Sequence, residues 1–265
     1  MEQNKNIIYR DHPLFYRISG SGNPVVLIHG FAEDGAIWKN QQLALEKNYR
    51  VIVPDLPGSG QSPEWGDMSM EELAESVKAI LDAESIPSAS LIGHSMGGYI
   101  TLALIEKYPE MASSFCLFHS TAYADTEEKK ETRQKSIEFI TRNGTVEFLR
   151  QSTPNMFSAG SKKAYPERVN ELIYQYENFK PQNLVAYYEA MMRRPDRTAV
   201  LRTFQRPVLF ILGRHDMAIP LKDGLEQCHL PVLSYIHILD ESGHMGLWEE
   251  SSESNRILTE FLENK

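Results

Sequence analysis

Gly93-His94-Ser95-Met96-Gly97 is the stretch on which the fold turns. A short apolar run, Ala89-Ser-Leu-Ile92, leads into it. A helical pattern from Tyr99 to Tyr108 leaves it at once and stops before Pro109. The pattern G-x-S-x-G is weak by itself. Between a strand and a helix it describes a sharp turn that holds a serine hydroxyl exposed. Bulky side chains two residues either side of that serine would collide, hence Gly93 and Gly97. The helix that starts there points its N-terminal dipole at the serine, which favours a developing oxyanion.

Outward from this turn, similar apolar runs recur. Pro24-Val-Val-Leu-Ile28 ends in His-Gly, and Tyr49-Arg-Val-Ile-Val53 ends in Pro-Asp. Ser114-Phe-Cys-Leu-Phe118 ends in His-Ser, and Pro207-Val-Leu-Phe-Ile-Leu212 ends in Gly-Arg-His-Asp. Leu233 to Ile238 adds another run, and Phe15 to Ile18 predicts an antiparallel strand at the edge. Each is strand-length and closed by turn residues. Helical patterns lie between them. Apolar residues at 70, 73, 74, 77, 80 and 81 predict a helix, with Ser69 and Glu72 as its capping box. Leu247 to Phe261 predicts a last helix. The alternation predicts an α/β fold with a mostly parallel sheet covered on both faces.

Residues 123–206 break the pattern. Strand-like runs vanish, and Phe139, Phe148, Met156, Phe157, Tyr165, Tyr174, Tyr176, Tyr187, Tyr188, Met191 and Met192 crowd into a charged helical segment. These are either the core of a helical subdomain or, in part, the lining of a pocket beneath it. We expect one core from 1–122 and 207–265, with 123–206 inserted as a helical cap. Phe157, Tyr188 and Met245 are the expected substrate contacts.

Composition bounds the partners. The 265 residues are 42% hydrophobic, 24% charged and 10% aromatic, too apolar for a disordered chain. Lys and Arg number 27 against 36 Asp and Glu, a net charge of −9 that suits neither nucleic acid nor an anionic membrane. Much of the excess falls after Asp240: Asp240, Glu241, Glu249, Glu250, Glu253, Glu260 and Glu263 face only Arg256 and Lys265, and read as a solvated helix face. Cys116 and Cys228 lack metal-site or redox spacing and read as packing residues. With no signal-peptide pattern at Met1 and no apolar run near ~18 residues, the expected compartment is the cytoplasm.

A serine hydroxyl needs a base. His29, His94, His119, His215, His237 and His244 are available. After an elbow serine the expected chain order is acid, then histidine. Gly213-Arg-His-Asp216 supplies Asp216 on a strand-end loop, and Ser242-Gly-His244 supplies His244 on a flexible turn. Asp240 competes as the acid, but it stands too close to His244 in sequence. Two backbone N–H groups complete an oxyanion hole: Met96 after the serine, and Phe31 after Ile28-His-Gly30. His29 reads as structural. Asp55-Leu-Pro-Gly-Ser-Gly-Gln-Ser62 lacks the lysine of a phosphate-binding loop and reads as a tight turn.

Together, His-Gly-Phe, Asp-Leu-Pro-Gly-Ser-Gly-Gln-Ser, Gly-His-Ser-Met-Gly-Gly, Gly-Arg-His-Asp and Ser-Gly-His resemble the α/β-hydrolase fold superfamily over essentially the whole chain. The resemblance implies an eight-stranded, mostly parallel sheet and a Ser95–His244–Asp216 triad that works without metal or cofactor. Relatives that carry the acid one strand earlier find no counterpart here, since no carboxylate follows His119 until Asp125. Epoxide hydrolases and haloalkane dehalogenases of the family carry Asp where this chain has Ser95. The expected activity is therefore hydrolysis of small or medium carboxylic esters. The alternatives are an enol-lactone or C–C bond hydrolase, or a menaquinone-pathway lyase, acting on an anionic keto acid. Such an anion calls for an Arg near the nucleophile or in the cap; Tyr99 stands where some of these enzymes carry Arg, and Arg142, Arg150, Arg193 and Arg194 are cations the cap contains. A ligand receptor on the same fold is the alternative of another class.

Overall fold

The computed structural model describes residues 2–264; Met1 and Lys265, used in the terminal readings above, lie outside them. The strands are β1 (Gln3–Tyr9), β2 (His12–Ser19), β3 (Asn23–Ile28), β4 (Tyr49–Pro54), β5 (Ala89–His94), β6 (Ala112–Phe118), β7 (Val208–Gly213) and β8 (Ser234–Leu239). They form one sheet in the order β1-β2-β4-β3-β5-β6-β7-β8. From β4 to β8 every pair is parallel; β1–β2 and β2–β4 are antiparallel. All six residues of β5 and of β7 are buried, as strands covered on both faces must be.

The helices are α1 (Lys39–Leu45), α2 (Met70–Ala83), α3 (Met96–Lys107), α4 (Glu127–Ser152), α5 (Ala159–Ala164), α6 (Pro166–Tyr176), α7 (Pro181–Arg193), α8 (Thr198–Thr203), α9 (Leu221–Leu225), α10 (Gly246–Glu249) and α11 (Ser251–Glu263). Helices α4 to α8 fill the interval between β6 and β7. Among the described residues no helix is long and apolar enough to cross a membrane.

Three local readings need correction. The edge is β1, not the strand at Phe15–Ile18. β1 is polar and mostly exposed, so it gives no apolar run, and it covers the free side of β2. The capping box is half made: Ser69 accepts from the Glu72 N–H, but the Glu72 carboxylate pairs with Arg10 instead of returning to Ser69. The last helix is two, because Glu250 leaves helical geometry at φ −122°, ψ 52° and splits α10 from α11. Likewise α4 is kinked at Gly144, whose φ of +80° suits glycine alone among common residues. Cys116 and Cys228 are buried and unpaired with each other.

Candidate active site

Ser95 sits between β5 and α3 at φ +51°, ψ −116°, a strained conformation for a residue with a Cβ. The surroundings enforce it. The Ser95 N–H donates to the Phe118 carbonyl at the end of β6, and the Ser95 carbonyl accepts from Ser120 Oγ at 2.7 Å. The flanking glycines answer to close approach. A Cβ on Gly97 would stand 2.1 Å from the Ile28 carbonyl oxygen, and one on Gly93 would stand 2.4 Å from that of Gly97. The elbow thus presses directly against the end of β3.

His244 and Asp216 come together beside it. His244 Nδ1 lies 2.8 Å from Asp216 Oδ2, and both residues are buried. The other Asp216 oxygen accepts from the Ala218 and Ile219 N–H groups, each at 2.8 Å, so the carboxylate cannot rotate freely. Burial alone would raise the Asp216 carboxyl. The positive field of His244 and the contacts from His119 and His244 outweigh it and hold the group well below the usual carboxylate range. Asp240 takes no part: it is exposed and paired with Arg214.

The remaining histidines separate by environment. His29 bridges the strand-end loop to the Asp55–Ser62 turn, through the Gly30 carbonyl on one nitrogen and Leu56 N–H and Ser59 Oγ on the other. His94 meets Glu33 and the His244 carbonyl. His119 lies at the end of β6 with Nδ1 3.2 Å from Asp216 Oδ2, off the line of a well-formed hydrogen bond. Burial lowers it to about 4. His215 is exposed and His237 half-buried on the edge strand. His119, Asp216 and His244 are ligand-type side chains within 4.8 Å of one another. Asp216 Oδ2 faces both rings, at 2.8 Å from His244 and 3.2 Å from His119, and its Oδ1 accepts from two backbone N–H groups.

Ser95 and His244 line one cavity of about 160 Å³. Phe31 lies in its wall, stacked on Tyr188 with centroids 4.1 Å apart and meeting Phe148 edge-on. Met96 opens α3, so its N–H has no partner within the helix. Of the expected substrate contacts, Tyr188 and Met245 are in the wall. Phe157 is not: it is packed into the core, and the neighbouring Met156 takes that place. Phe148, Tyr176 and Met191 also face the cavity, whereas Tyr165 and Tyr174 are exposed.

Three side chains at the candidate site escaped sequence reasoning. Arg133 reaches the cavity wall, whereas Arg142, Arg150 and Arg193 are exposed and Arg194 is buried behind it over the Tyr99 ring. Both Arg133 and Arg194 contact Asp125, at 2.6 and 2.9 Å, so two guanidinium groups share one carboxylate. Arg133 is the guanidinium in that wall, which also holds the Glu33 carboxylate. Glu249 and Glu250, read as part of a solvated face, turn inward. Glu249 accepts from Gly243 N–H at 2.8 Å, Met245 N–H at 3.1 Å and Ser158 N–H at 2.8 Å. Glu250 accepts from Glu241 N–H and Ser242 Oγ. A carboxylate just after a glycine-containing loop is a local sign of such capping, but only the fold shows which amides it meets.

The comparisons with known proteins agree with this layout. A family model described as alpha/beta hydrolase fold matches residues 23–251. The chain is 26% identical to the 2-hydroxy-6-oxononadienedioate/2-hydroxy-6-oxononatrienedioate hydrolase of a Pseudomonas species, covering 92% of this chain and 89% of that one. A thermophilic esterase from Thermogutta terrifontis, solved with malate bound, superposes with a TM-score of 0.92 at 27% identity, over 98% of each chain. The enol-lactonase from Burkholderia xenovorans LB400 shares the fold with a TM-score of 0.89 at 22% identity, over 98% of this chain and 100% of that one.

Proposed function

The chain belongs to the α/β-hydrolase fold family, and from that premise we propose that it hydrolyses small or medium carboxylic esters through an acyl-enzyme on Ser95. The observation that carries this reading is the buried Asp216–His244 pair opening onto the same cavity as the elbow serine. Ser95 Oγ attacks the ester carbonyl while His244 takes its proton. Asp216 holds the imidazole in the tautomer that leaves Nε2 free to accept, and stabilises the imidazolium. The N–H groups of Phe31 and Met96 receive the oxyanion. His244 then protonates the leaving alcohol and activates the water that releases the acid.

In this reading α4 to α8 cap the site and select the substrate. A cavity of about 160 Å³ with a largely aromatic and aliphatic wall suits a compact group; apolar cavities of about 150 Å³ accept benzene. Turnover of p-nitrophenyl esters of graded chain length tests the proposal. Activity is expected to peak at short or medium chains and to vanish in Ser95→Ala. A Ser95→Ala enzyme as fast as wild type would sink it.

Arg133 favours a second reading, in which the substrate carries a carboxylate. A guanidinium that shares its counter-ion and faces the cavity suits an anion. The relative acting on a dioate and the neighbour with bound malate support this direction. A panel of keto acids, lactones and paired neutral and anionic esters separates the two readings. Equal turnover of neutral and anionic partners would remove the second.

A further inference from the structure

We propose that Glu33 and His94 are positioning residues, a buried carboxylate–imidazole bridge that fixes the oxyanion loop, the nucleophile elbow and the base loop relative to one another. The inference rests on the triad reading above. Glu33 Oε2 accepts from the Gly30 N–H at 2.6 Å. The same oxygen lies 3.1 Å from His94 Nδ1. The other ring nitrogen, Nε2, lies 3.0 Å from the His244 carbonyl oxygen. Gly30 precedes Phe31, His94 precedes Ser95, and the carbonyl belongs to His244. One chain of three hydrogen bonds therefore reaches each of the three loops at its reacting residue or the residue before it.

The protons follow from the partners. A carbonyl oxygen only accepts, so Nε2 carries hydrogen. Oε2 already receives the Gly30 N–H, and the bridge closes when Nδ1 also donates. That makes His94 an imidazolium facing an ionised Glu33. Burial opposes charge on both groups, yet each sustains the other: His94 is held above its ordinary value and Glu33 below. The ring is packed by Trp38 and Phe118 edges at 6.2 and 6.1 Å and by the His119 ring at 6.2 Å, while the His244 ring stands 5.1 Å away. Glu33 also contributes to the cavity wall, so the bridge borders the substrate without taking part in bond making.

Glu33→Gln has the same shape and cannot make the same bonds. With its amide oxygen toward Gly30, a neutral His94 must choose. If Nδ1 keeps the proton, a bare Nε2 faces the His244 carbonyl; if Nε2 keeps it, a bare Nδ1 faces the amide oxygen.

Glu33→Gln and Ser95→Ala are compared with wild type by ester kinetics, fluorophosphonate labelling and thermal unfolding. The expected result for folded Glu33→Gln is a parallel fall in kcat and labelling rate of about tenfold to a hundredfold, the effect of ~1 Å misplacement. KM should stay within about twofold. Adding His94→Gln should cost little more than the larger single change, because the two act as one unit. Wild-type kcat and labelling in folded Glu33→Gln overturn the proposal, as does a loss confined to KM. If Glu33→Gln fails to fold, the wild-type histidine ¹⁵N spectrum decides: two protonated His94 nitrogens near neutral pH support the bridge, and one bare nitrogen overturns it. A fully active Ser95→Ala breaks the triad reading and the bridge with it. An inert Ser95→Ala beside a wild-type-like Glu33→Gln breaks the bridge alone.

Discussion

The two walls of the cavity are built on different principles. On the sheet side, the candidate reacting groups stand at or beside strand ends whose backbones are tied to their neighbours: Ser95 N–H to Phe118, His119 N–H to Ile211, His215 N–H to Ser242. Side-chain position there is set by main-chain hydrogen bonds. On the helical side, Phe148, Tyr176, Tyr188 and Met191 come from α4, α6 and α7, and side-chain packing, with a hydrogen bond from Gln175 to the Tyr176 hydroxyl, sets their direction. The sheet rim suits chemistry that tolerates little displacement. The helices suit selection, which side-chain exchange can retune.

The sharpest break between the walls is expected at the rim. Ser95→Ala should lower kcat on the order of a millionfold, and Asp216→Asn about 10⁴-fold, for every substrate alike. Steady-state kinetics on two unrelated esters checks this; a loss restricted to one ester would erase the distinction.

Glu249 tests the seam. Its carboxylate ties the amides flanking His244 to Ser158 of the helical segment, and the His244 N–H donates to Met156 there at 2.6 Å. Glu249→Ala should therefore reduce kcat by about tenfold to a hundredfold while leaving the elbow intact. Slow turnover with a normal fluorescence unfolding curve would place the defect in the loop. Full activity would show the two walls to be independent.

On the helical wall, Arg133→Met should weaken turnover of carboxylate-bearing esters by about tenfold, through KM, and leave neutral esters unchanged. An equal effect on both would make Arg133 part of the framework instead.

The smallest effect is on stability. Unfolded, His119 takes its proton near 6.5; folded, it resists until about 4. Below 6.5 the unfolded chain binds the extra proton, so stability falls with pH across that window, by ~3 kcal/mol at most. His94, shifted upward, has the opposite sign and loses its contribution only as pH rises above 6.5. Thermal unfolding from pH 7 to 4 should be shallower in His119→Gln than in wild type. Identical slopes would mean that His119 is solvated in the native state.

The rim was largely legible from the chain. Apolar runs closed by His-Gly, Pro-Asp, Gly-His-Ser and Gly-Arg-His-Asp mark strand ends, and those ends fall on one edge of a parallel sheet. β1 was not legible, because an exposed edge strand has no apolar face to advertise. Nor was Arg133, which stands among the charges of Glu127–Lys135 like any solvated residue until Asp125 and the Tyr188 ring turn it inward.

The sequence alone determined the fold class and put forward Ser95, Asp216 and His244 as the candidate triad, because those follow from local patterns and their order along the chain. The tertiary structure alone decided that Met156 and not Phe157 faces the cavity, that Glu249 leaves the acidic surface to hold the base loop, and that Glu33 meets His94. These contacts join residues 61 positions apart for Glu33–His94 and 91 for Glu249–Ser158. No local propensity encodes such pairs; burial of both partners in one packed interior does.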